Sequence, residues 1–317
     1  MEISLKQASE LLERAANIVL TAHIYPDGDS LGSMLALFHS LRAAGKDVTM
    51  LLDDDVPKLY QYLPGQEKIV RPRSGLNADL LVVLDASDEE RIGAVKTAVF
   101  APILNLDHHL SNTRFADYWY VDAEAAATGE IIFKLLGLMN GKITREIAVC
   151  LYTAIATDCG FFRYANTSAA TMRYAAELIE CGVQPHVIAE HLDTRPLANI
   201  ILLTKALATL QLYEAGRIAT ITLSAEMGQI TSDNTEGFIN YPRNIEGVEI
   251  AVLFKVVDTN TVRVSLRSRN VDVSRLALAF GGGGHARAAG CTLNGTLEDA
   301  KTKIIGAAVA RLKESPV

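Results

Sequence analysis

The sequence predicts an α/β protein: a parallel-sheet domain with helices on both faces, joined by a helical linker to a smaller mixed α/β domain. Continuous apolar runs alternate with helical periodicity over about the first 110 residues, as is typical of strands that helices bury on both sides. From about residue 124 the periodicity is helical, and β-branched runs return beyond Gly216. The 317 residues and the 49% hydrophobic content suffice for two cores.

The elements of the predicted parallel sheet follow one another in chain order. The N-terminus has an amphipathic helix pattern, IVLTAH (18–23) predicts a strand, and 30–45 predicts a helix that stops at Gly45. The strands that follow are DVTMLL, LLVVLD at 80–85 and a short one around ILNL. Sheets of this kind bind ligands beyond the carboxyl ends of their strands, so the residues at those ends are candidates for a site.

Helices and a second group of strands make up the rest of the chain. Helical patterns cover EAAATGEIIFKLLGLMN, TREIAVCLYTAIATD and TSAATMRYAAELIECG, and PLANIILLTKALATLQLYE near residue 196 predicts a connecting helix. The runs RIATITLS, VEIAVLFKVVD and TVRVSLRSR predict strands, with two helices after them. We therefore predict a first domain at 1–195, a helical linker at 196–214 and a second domain at 215–317.

Composition restricts the class of protein. The net charge of −7 disfavours binding of long duplex nucleic acid, but residues 261–290 carry five arginines and one aspartate and suit a small anion. The sequence has no apolar run of about 18 residues or more and no signal-peptide pattern, so we predict a cytoplasmic protein that does not bind membranes. The four cysteines lack CxxC spacing, which predicts free thiols and no zinc ribbon.

Four apolar segments end in aspartate or histidine. They read HIYPDGDSLG, LLVVLDASD, ILNLDHHLSN and TAIATDCGFF, and the fold would gather these ends at one rim. The candidate ligands are His23, Asp27, Asp29, Asp85, His108 and Asp158. Two imidazoles and four carboxylates suit divalent ions such as Mn²⁺ or Mg²⁺. Two neighbouring ions need a bridging carboxylate, and Asp85, fixed at a strand end among apolar residues, is the candidate for it.

A simpler explanation exists for each aspartate alone. An aspartate after a strand is usually a helix N-cap or a turn residue, and Asp29 and Asp88 could each be explained that way. That explanation weakens when four segment ends all carry Asp or His.

The same residues resemble a known family. In this order and spacing, HIYPDGDSLGS, LDASDEER, LDHHLSN and TDCGFFRYANTS resemble the four motifs of the DHH phosphoesterase superfamily. GGGGHARAAG at 281–290, after LRSR at 266–269, resembles its companion C-terminal domain, DHHA1. The two-domain layout is most similar to the nanoRNase type, a bifunctional oligoribonuclease and 3′-phosphoadenosine-5′-phosphate (pAp) phosphatase. The resemblance covers nearly the whole chain.

The resemblance implies a role for each motif residue. One ion would be held by His23, Asp27 and Asp85, and the other by Asp29, Asp85, His108 and Asp158. The resemblance implies two Mn²⁺ ions, with Mg²⁺ or Co²⁺ as alternatives. His109 would face the scissile phosphate, and Asp107 would orient a histidine by a hydrogen bond without itself binding a metal ion. Cys159 departs from the pattern, since relatives commonly have a small hydroxyl residue there.

The glycine run predicts a second binding site. Glycines permit close backbone approach, and free amides before a helix bind anions. The run lacks the Lys-Ser/Thr of a P-loop, so hydrolysis of nucleoside triphosphates is not predicted. The resemblance implies that His285 and Arg267 grip the terminal phosphate or the nucleotide. The other candidates for this site are Gly283, Gly284, Arg263 and Arg287.

These features together predict a metal-dependent phosphoesterase. The resemblance implies that it hydrolyses short oligoribonucleotides, including linear dinucleotides such as pApA, to mononucleotides, and pAp to AMP. The predicted partners are short RNA, pAp and linear or cyclic diadenylate, and the resemblance suggests a homodimer. Three alternatives stay open: a cyclic-di-AMP phosphodiesterase, an inorganic pyrophosphatase and a non-catalytic dinucleotide sensor.

Overall fold

The computed structural model describes residues 1–228, 230, 235 and 237–314. These residues divide into two compact units, Met1–Thr194 and Arg195–Val317. Among the helices that are described, none has the length and the apolar composition needed to cross a membrane. The domain boundaries derived from the sequence remain predictions.

The first unit is built on a six-stranded parallel sheet. Its strand order is β3-β2-β1-β5-β7-β8, and every neighbouring pair is parallel. A separate pair, β4 and β6, is also parallel. The strands are β1 (Asn17–Ala22), β2 (Asp47–Leu51), β3 (Ile69–Val70), β4 (Leu76–Asn77), β5 (Leu80–Leu84), β6 (Val99–Phe100), β7 (Ile103–Asp107) and β8 (Tyr118–Val121).

Alternate residues of each central strand pack against helices on opposite faces of this sheet. Ile18 and Leu20 of β1 belong to the larger core, whereas Val19 packs on the other face with Val95 of a short helix. This burial on both faces explains the continuous apolar runs of β1 and β5. The helices are α1 (Leu5–Arg14), α2 (Gly28–Ala43), α3 (Val95–Ala98), α4 (Thr128–Leu138), α5 (Arg145–Asp158), α6 (Ala169–Glu180) and α7 (Pro185–Asp193).

Helix α2 begins two residues earlier than the sequence pattern predicts. Asp27 is its N-cap: the side chain accepts a hydrogen bond from the Ser30 amide, and the Ser30 hydroxyl accepts one from the Asp27 amide. This capping box satisfies amides that the first helical turn leaves without partners. Asp29, which could have been a simple cap, therefore lies inside the first turn and is buried.

Helices α2 and α5 pack closely because α2 carries Gly32 at the contact. A Cβ atom at Gly32 would lie 2.4 Å from the carbonyl oxygen of Cys150 and 2.9 Å from the Cβ of Ala154. Only glycine permits this approach of two helix backbones. The contact matters for the site, since α2 begins with Asp29 in its first turn and α5 ends at Asp158.

The second unit is a mixed sheet with helices. Its strand order is β13-β14-β12-β11-β10-β9, in which only β10 and β11 are parallel. The strands are β9 (Gln211–Tyr213), β10 (Ile218–Leu223), β11 (Ile250–Asp258), β12 (Thr261–Ser268), β13 (Gly283–His285) and β14 (Ala288–Asn294). The helices are α8 (Leu197–Leu207), α9 (Asn240–Arg243), α10 (Ser274–Leu278) and α11 (Leu297–Glu314).

Two local predictions for this part of the chain were wrong. The connecting helix ends at Leu207, and Gln211–Tyr213 instead forms a strand that pairs with β10. The glycine run does not precede a helix either, because Gly283–His285 is a strand paired with β14. Glycine is required for this close pairing, because a Cβ at Gly282 would lie 2.1 Å from the Gly290 carbonyl oxygen of β14.

Candidate metal centre

The sequence-predicted ligands of the first unit meet at the carboxyl edge of the parallel sheet. His23 follows β1, Asp85 follows β5, and His108 follows β7 directly. Parallel strands place their carboxyl ends at the same edge, so these three side chains converge although they are far apart in sequence. Helices α2 and α5 supply the remaining aspartates from their first and last turns.

The ligand atoms form three overlapping groups within 4.8 Å. The groups are His23 with Asp27 and Asp85, Asp29 with His108 and Asp158, and Asp85 with His108 and His109. Asp85 belongs to two of these groups. The structure thus brings together all six residues that the sequence analysis proposed as ligands, and it places His109 beside them.

Asp85 directs its two oxygens to different imidazoles. Its Oδ2 lies 3.5 Å from Nε2 of His23, and its Oδ1 lies 3.6 Å from Nε2 of His108. The side chain is 2% exposed, and the backbone has a φ of +57°, which is uncommon for a residue other than glycine. Such strained residues concentrate at functional sites.

The remaining carboxylates surround the same imidazole nitrogens. Nε2 of His23 lies 3.6 Å from Asp27 Oδ1. Nε2 of His108 lies 3.8 Å from Asp29 Oδ2 and 3.7 Å from Asp158 Oδ2. Ligand atoms bound to one ion at about 2.1 Å lie about 3 to 4 Å from each other. The observed separations are therefore those of atoms that share an ion.

Both imidazoles are oriented through the opposite ring nitrogen. Nδ1 of His23 lies 2.8 Å from the carbonyl oxygen of Ile24, and Nδ1 of His108 lies 3.2 Å from that of Ala125. A proton on Nδ1 donates to these carbonyl groups, and Nε2 then keeps its lone pair for a cation. The tautomer that a metal ligand requires is set by the backbone.

Helix α4 holds two of the carboxylates, a feature that the sequence analysis missed. Asp29 accepts hydrogen bonds from the amides of Thr128 at 2.7 Å and Gly129 at 2.9 Å. The Thr128 hydroxyl donates to Asp85 Oδ1 at 2.9 Å. The N-terminus of a helix favours negative charge, but burial and the neighbouring charges of Asp85 and Asp158 still raise the pKa of Asp29 well above its usual range. The signal in the sequence is the Thr-Gly pair that opens a helical pattern.

His109 is held by a separate network. Its Nδ1 lies 2.7 Å from Asp107 Oδ1, and Asp107 Oδ2 accepts a hydrogen bond from the Asn112 amide group at 2.6 Å. Asn112 also donates to Asn105 Oδ1 at 2.8 Å. Asp107 is fully buried and is thereby kept in one orientation. The polar Asn105 inside an apolar strand was the sequence signal for this network.

The donor set fits divalent cations. Among the described residues, the four clustered aspartates have histidines as their only ion-pair partners, with no lysine or arginine to neutralise them. Burial opposes the charging of His23, but Asp27 and Asp85 outweigh it and raise its pKa to about 10. Burial raises the pKa of Asp158 to about 7, against the charge of His108. In this arrangement protons occupy positions that cations would take.

We predict that the metal-free protein loses stability as pH rises from about 5 to 9. The folded-state pKa of Asp158 is about 7, so its proton stabilises the fold at low pH and this contribution disappears as pH rises through 7. His23 and His109 have raised pKa values of about 10 and 9, so their contribution is complete below about 6.5 and is lost through 9 to 10. Asp27 and Asp85 have lowered pKa values and titrate below this range.

Thermal unfolding as a function of pH, in EDTA and in saturating Mn²⁺, measures this effect. Metal binding requires deprotonated ligands. Because more of the ligands have lost their protons at pH 7.5, Mn²⁺ should raise the unfolding midpoint more at pH 7.5 than at pH 5.5. A midpoint in EDTA that rises over this range, or a Mn²⁺ effect independent of pH, would contradict the prediction.

In the second unit, three of the proposed substrate-binding residues lie at one end of the sheet. Arg267 is in register with Ala288, which also pairs with His285, and Arg287 lies in the turn between β13 and β14. The Arg287 carbonyl oxygen accepts a hydrogen bond from the Ser268 amide at 3.1 Å. Gly283 and Gly284 belong to β13 at the same end. Arg263 lies four residues before Arg267 on β12, about 13 Å away along the strand.

Fold and site together define a class of protein. It is a two-domain α/β protein whose first domain has histidine–aspartate clusters at the carboxyl edge of a parallel sheet. Its second domain has a mixed sheet with arginines and glycines at one end. The chain belongs to the DHH family: residues 17–155 match "DHH family, N-terminal domain", and residues 219–314 match "DHHA1 domain". The family resemblance and the fold class that the sequence predicted are confirmed.

Relatives and solved structures agree with this assignment. A "Bifunctional oligoribonuclease and PAP phosphatase NrnA" from Thermus thermophilus is 34% identical over 92% of this chain and 88% of its own length. A protein of the same name from Bacillus subtilis is 25% identical over 87% of this chain and 89% of its own length. The crystal structure of an exopolyphosphatase-related protein from Bacteroides fragilis, 28% identical, superposes with a TM-score of 0.87 and covers 96% of this chain and 94% of that one.

Proposed function

We propose that this protein is a Mn²⁺-dependent phosphoesterase that hydrolyses short oligoribonucleotides, such as pApA, to mononucleotides and pAp to AMP. The observation that carries the proposal is the set of three overlapping histidine–aspartate groups, two of which share Asp85 and two of which share His108. The names of the Thermus thermophilus and Bacillus subtilis relatives support the substrate class.

The six clustered side chains would hold two divalent ions, with Asp85 between them. Such ions, when bound, activate water and neutralise the charge that develops on a phosphoryl group. The protein contributes fixed positions, because amides of α4 hold Asp29 and backbone carbonyl groups hold the imidazoles of His23 and His108. Fixed ligands avoid reorganisation during the reaction. We propose Mn²⁺ since carboxylates and imidazoles together suit it, with Mg²⁺ and Co²⁺ as alternatives.

His109 is the proposed proton donor to the leaving oxygen. Burial opposes its protonation, but the hydrogen bond to Asp107 and the charge of Asp85 raise its pKa to about 9 in the metal-free protein. Its Nδ1 lies beside Asp107, and in this proposal Nε2 is the atom that donates to the leaving oxygen. Asp107 acts as a positioning residue in this proposal, and His109 acts as a general acid.

The end of the second sheet is the proposed site for the far end of the substrate. Arg267, His285 and Arg287 suit a phosphate, and Gly283 leaves the backbone of β13 open to a ligand, whereas Gly284 packs closely against β14. A β-strand takes the place of the expected helix N-terminus, so the proposed phosphate contacts come from the side-chain cations and not from a helix dipole. The domain boundaries and the individual residue roles are part of this proposal.

One comparison of rates tests the function. Initial rates would be measured with Mn²⁺ on pApA, pAp, short RNAs, cyclic diadenylate and inorganic pyrophosphate. The proposal expects the fastest turnover on the linear dinucleotide and on pAp. Faster turnover of cyclic diadenylate would favour a cyclic-dinucleotide phosphodiesterase, and faster turnover of pyrophosphate would favour a pyrophosphatase. Tight binding of dinucleotides without turnover would indicate a sensor. The homodimer and the cytoplasmic location stay predictions.

Substitution of Arg267 by glutamine is expected to raise KM for pApA about tenfold or more, with a smaller change in kcat. The guanidinium group would contact the nucleotide away from the reacting phosphorus, so a small generic phosphodiester should be hydrolysed at nearly the wild-type rate. His285→Ala should behave similarly. Arg275→Gln is the matched control, because Arg275 pairs with Asp272 elsewhere in this unit. Equal losses on both substrates would contradict the assignment.

A further inference from the structure

Two cations lie side by side on one face of the second sheet. The register pairs Lys255 of β11 with Arg263 of β12, and Arg263 with Thr292 of β14. Directly paired residues point to the same face, so these three side chains form a row across three strands that are about 4.8 Å apart. We call Lys255, Arg263 and Thr292 the cation row. Arg263 and Thr292 are exposed and Lys255 is half-buried.

The cation row costs stability as it stands. Like charges directly opposite each other destabilise a pair of strands. Burial and the charge of Arg263 lower the pKa of Lys255, which shows that the two groups interact unfavourably. Among the described residues, no carboxylate forms an ion pair with either cation. The nearby Asp258 instead accepts a hydrogen bond from the Asn260 amide at 2.8 Å in the β11–β12 turn. A bound anion would relieve the repulsion.

Between the cation row and Arg267, strands β12 and β14 carry only small residues on this face. These are Ser265 of β12 and Gly290 of β14, while Leu253 of β11 in the same row is buried. A side chain at Gly290 would meet only the Val264 carbonyl oxygen, so the face is open at that point. Arg263 and Arg267 are four residues apart on β12, which places them about 13 Å apart along the strand. This distance corresponds to about two nucleotides of an extended strand or about four of a stacked one.

We propose that the cation row binds a phosphodiester group of a single-stranded oligonucleotide, a few nucleotides away from the phosphate that Arg267 holds. Lys255 and Arg263 supply the charge, and the Thr292 hydroxyl supplies a neutral donor. The row then extends the range of chain lengths that bind well beyond the dinucleotide. This inference rests on the proposed function for its substrate class.

Equilibrium binding separates the row from the catalytic centre. The full-length protein in EDTA, where hydrolysis is absent, would be titrated with fluorescein-labelled oligoadenylates of two and five nucleotides over a series of salt concentrations. Lys255→Gln and Arg263→Gln should each weaken binding of the five-nucleotide probe about three- to tenfold and lower its salt slope by about 0.7. Binding of the two-nucleotide probe should change by less than about twofold. Lys255→Arg keeps the positive charge and should bind the five-nucleotide probe about as tightly as the wild-type protein.

Two controls make the result decisive. Lys303→Gln removes an exposed cation of α11 and should leave both probes unaffected. Equal weakening of both probes, or no weakening of the longer one, would overturn the proposal. If the variants show the length-dependent losses but the wild-type protein hydrolyses none of the nucleotides in Mn²⁺, the proposed function fails and the phosphate site remains.

Discussion

Asp85→Asn should lower the rate of pApA hydrolysis in Mn²⁺ by at least about 10³-fold, since losing a residue shared by two clusters should exceed the roughly 10–100-fold cost of losing a supporting group. Asp85 Oδ1 and Oδ2 face His108 and His23. An amide has one oxygen and no charge, so it cannot serve both clusters. Both Mn²⁺ affinities should fall with the rate.

Asparagine is the informative substitution because it leaves the rest of the environment unchanged. Its oxygen can still accept the hydrogen bond from the Thr128 hydroxyl. Asparagine also tolerates the left-handed backbone better than most residues, and Asp85 has a φ of +57°. Alanine would lose the hydrogen bond and add backbone strain, which would confuse catalysis with folding.

Asp88→Asn is the matched control. Asp88 lies three residues away, caps the turn through the Arg91 amide at 3.1 Å, and belongs to none of the clusters. Asparagine keeps that cap, so rate and stability should stay near wild type. Initial rates, Mn²⁺ titration by calorimetry and thermal unfolding would be measured for both variants. An Asp85→Asn protein that folds and turns over normally would exclude the two-cluster mechanism.

Gly32→Ala should lower the free energy of unfolding by about 3 kcal/mol and weaken metal binding as well. The new Cβ would lie 2.4 Å from a backbone oxygen of Cys150, which cannot rotate away. Helices α2 and α5 must therefore move apart. Because they carry Asp29 and Asp158, the group that these two aspartates form with His108 would open.

Gly137→Ala distinguishes this contact from a general effect of glycine in helices. Gly137 lies in α4, and a Cβ there would meet nothing within 4 Å. Alanine should stabilise the protein by about 0.5–1 kcal/mol through its higher helix propensity. Urea unfolding monitored by circular dichroism, together with Mn²⁺ titration, would compare the two variants. A Gly32→Ala protein as stable as Gly137→Ala would contradict the close packing of α2 and α5.

Periodicity was sufficient for the elements that are buried on both faces. The apolar runs of β1 and β5 predicted strands of a parallel sheet, and the helical pattern at TREIAVCLYTAIATD predicted α5. Where local patterns conflict with pairing, periodicity was misleading. Gln211–Tyr213 continued an apolar helical pattern, yet pairing with β10 makes it a strand. The glycine run contains no pattern at all, so its pairing with β14 could only come from the packed fold.

The sequence by itself determined which side chains are candidate metal ligands. The carboxyl ends of parallel strands must share one edge, and the residues at those ends can be read from the chain. The tertiary structure decided how those side chains are held. The amides that bind Asp29 lie about 100 residues away on α4, and the spacing of Asp29 and Asp158 depends on a backbone contact at Gly32. Such contacts depend on how helices pack, and local periodicity records only which face of each helix is apolar.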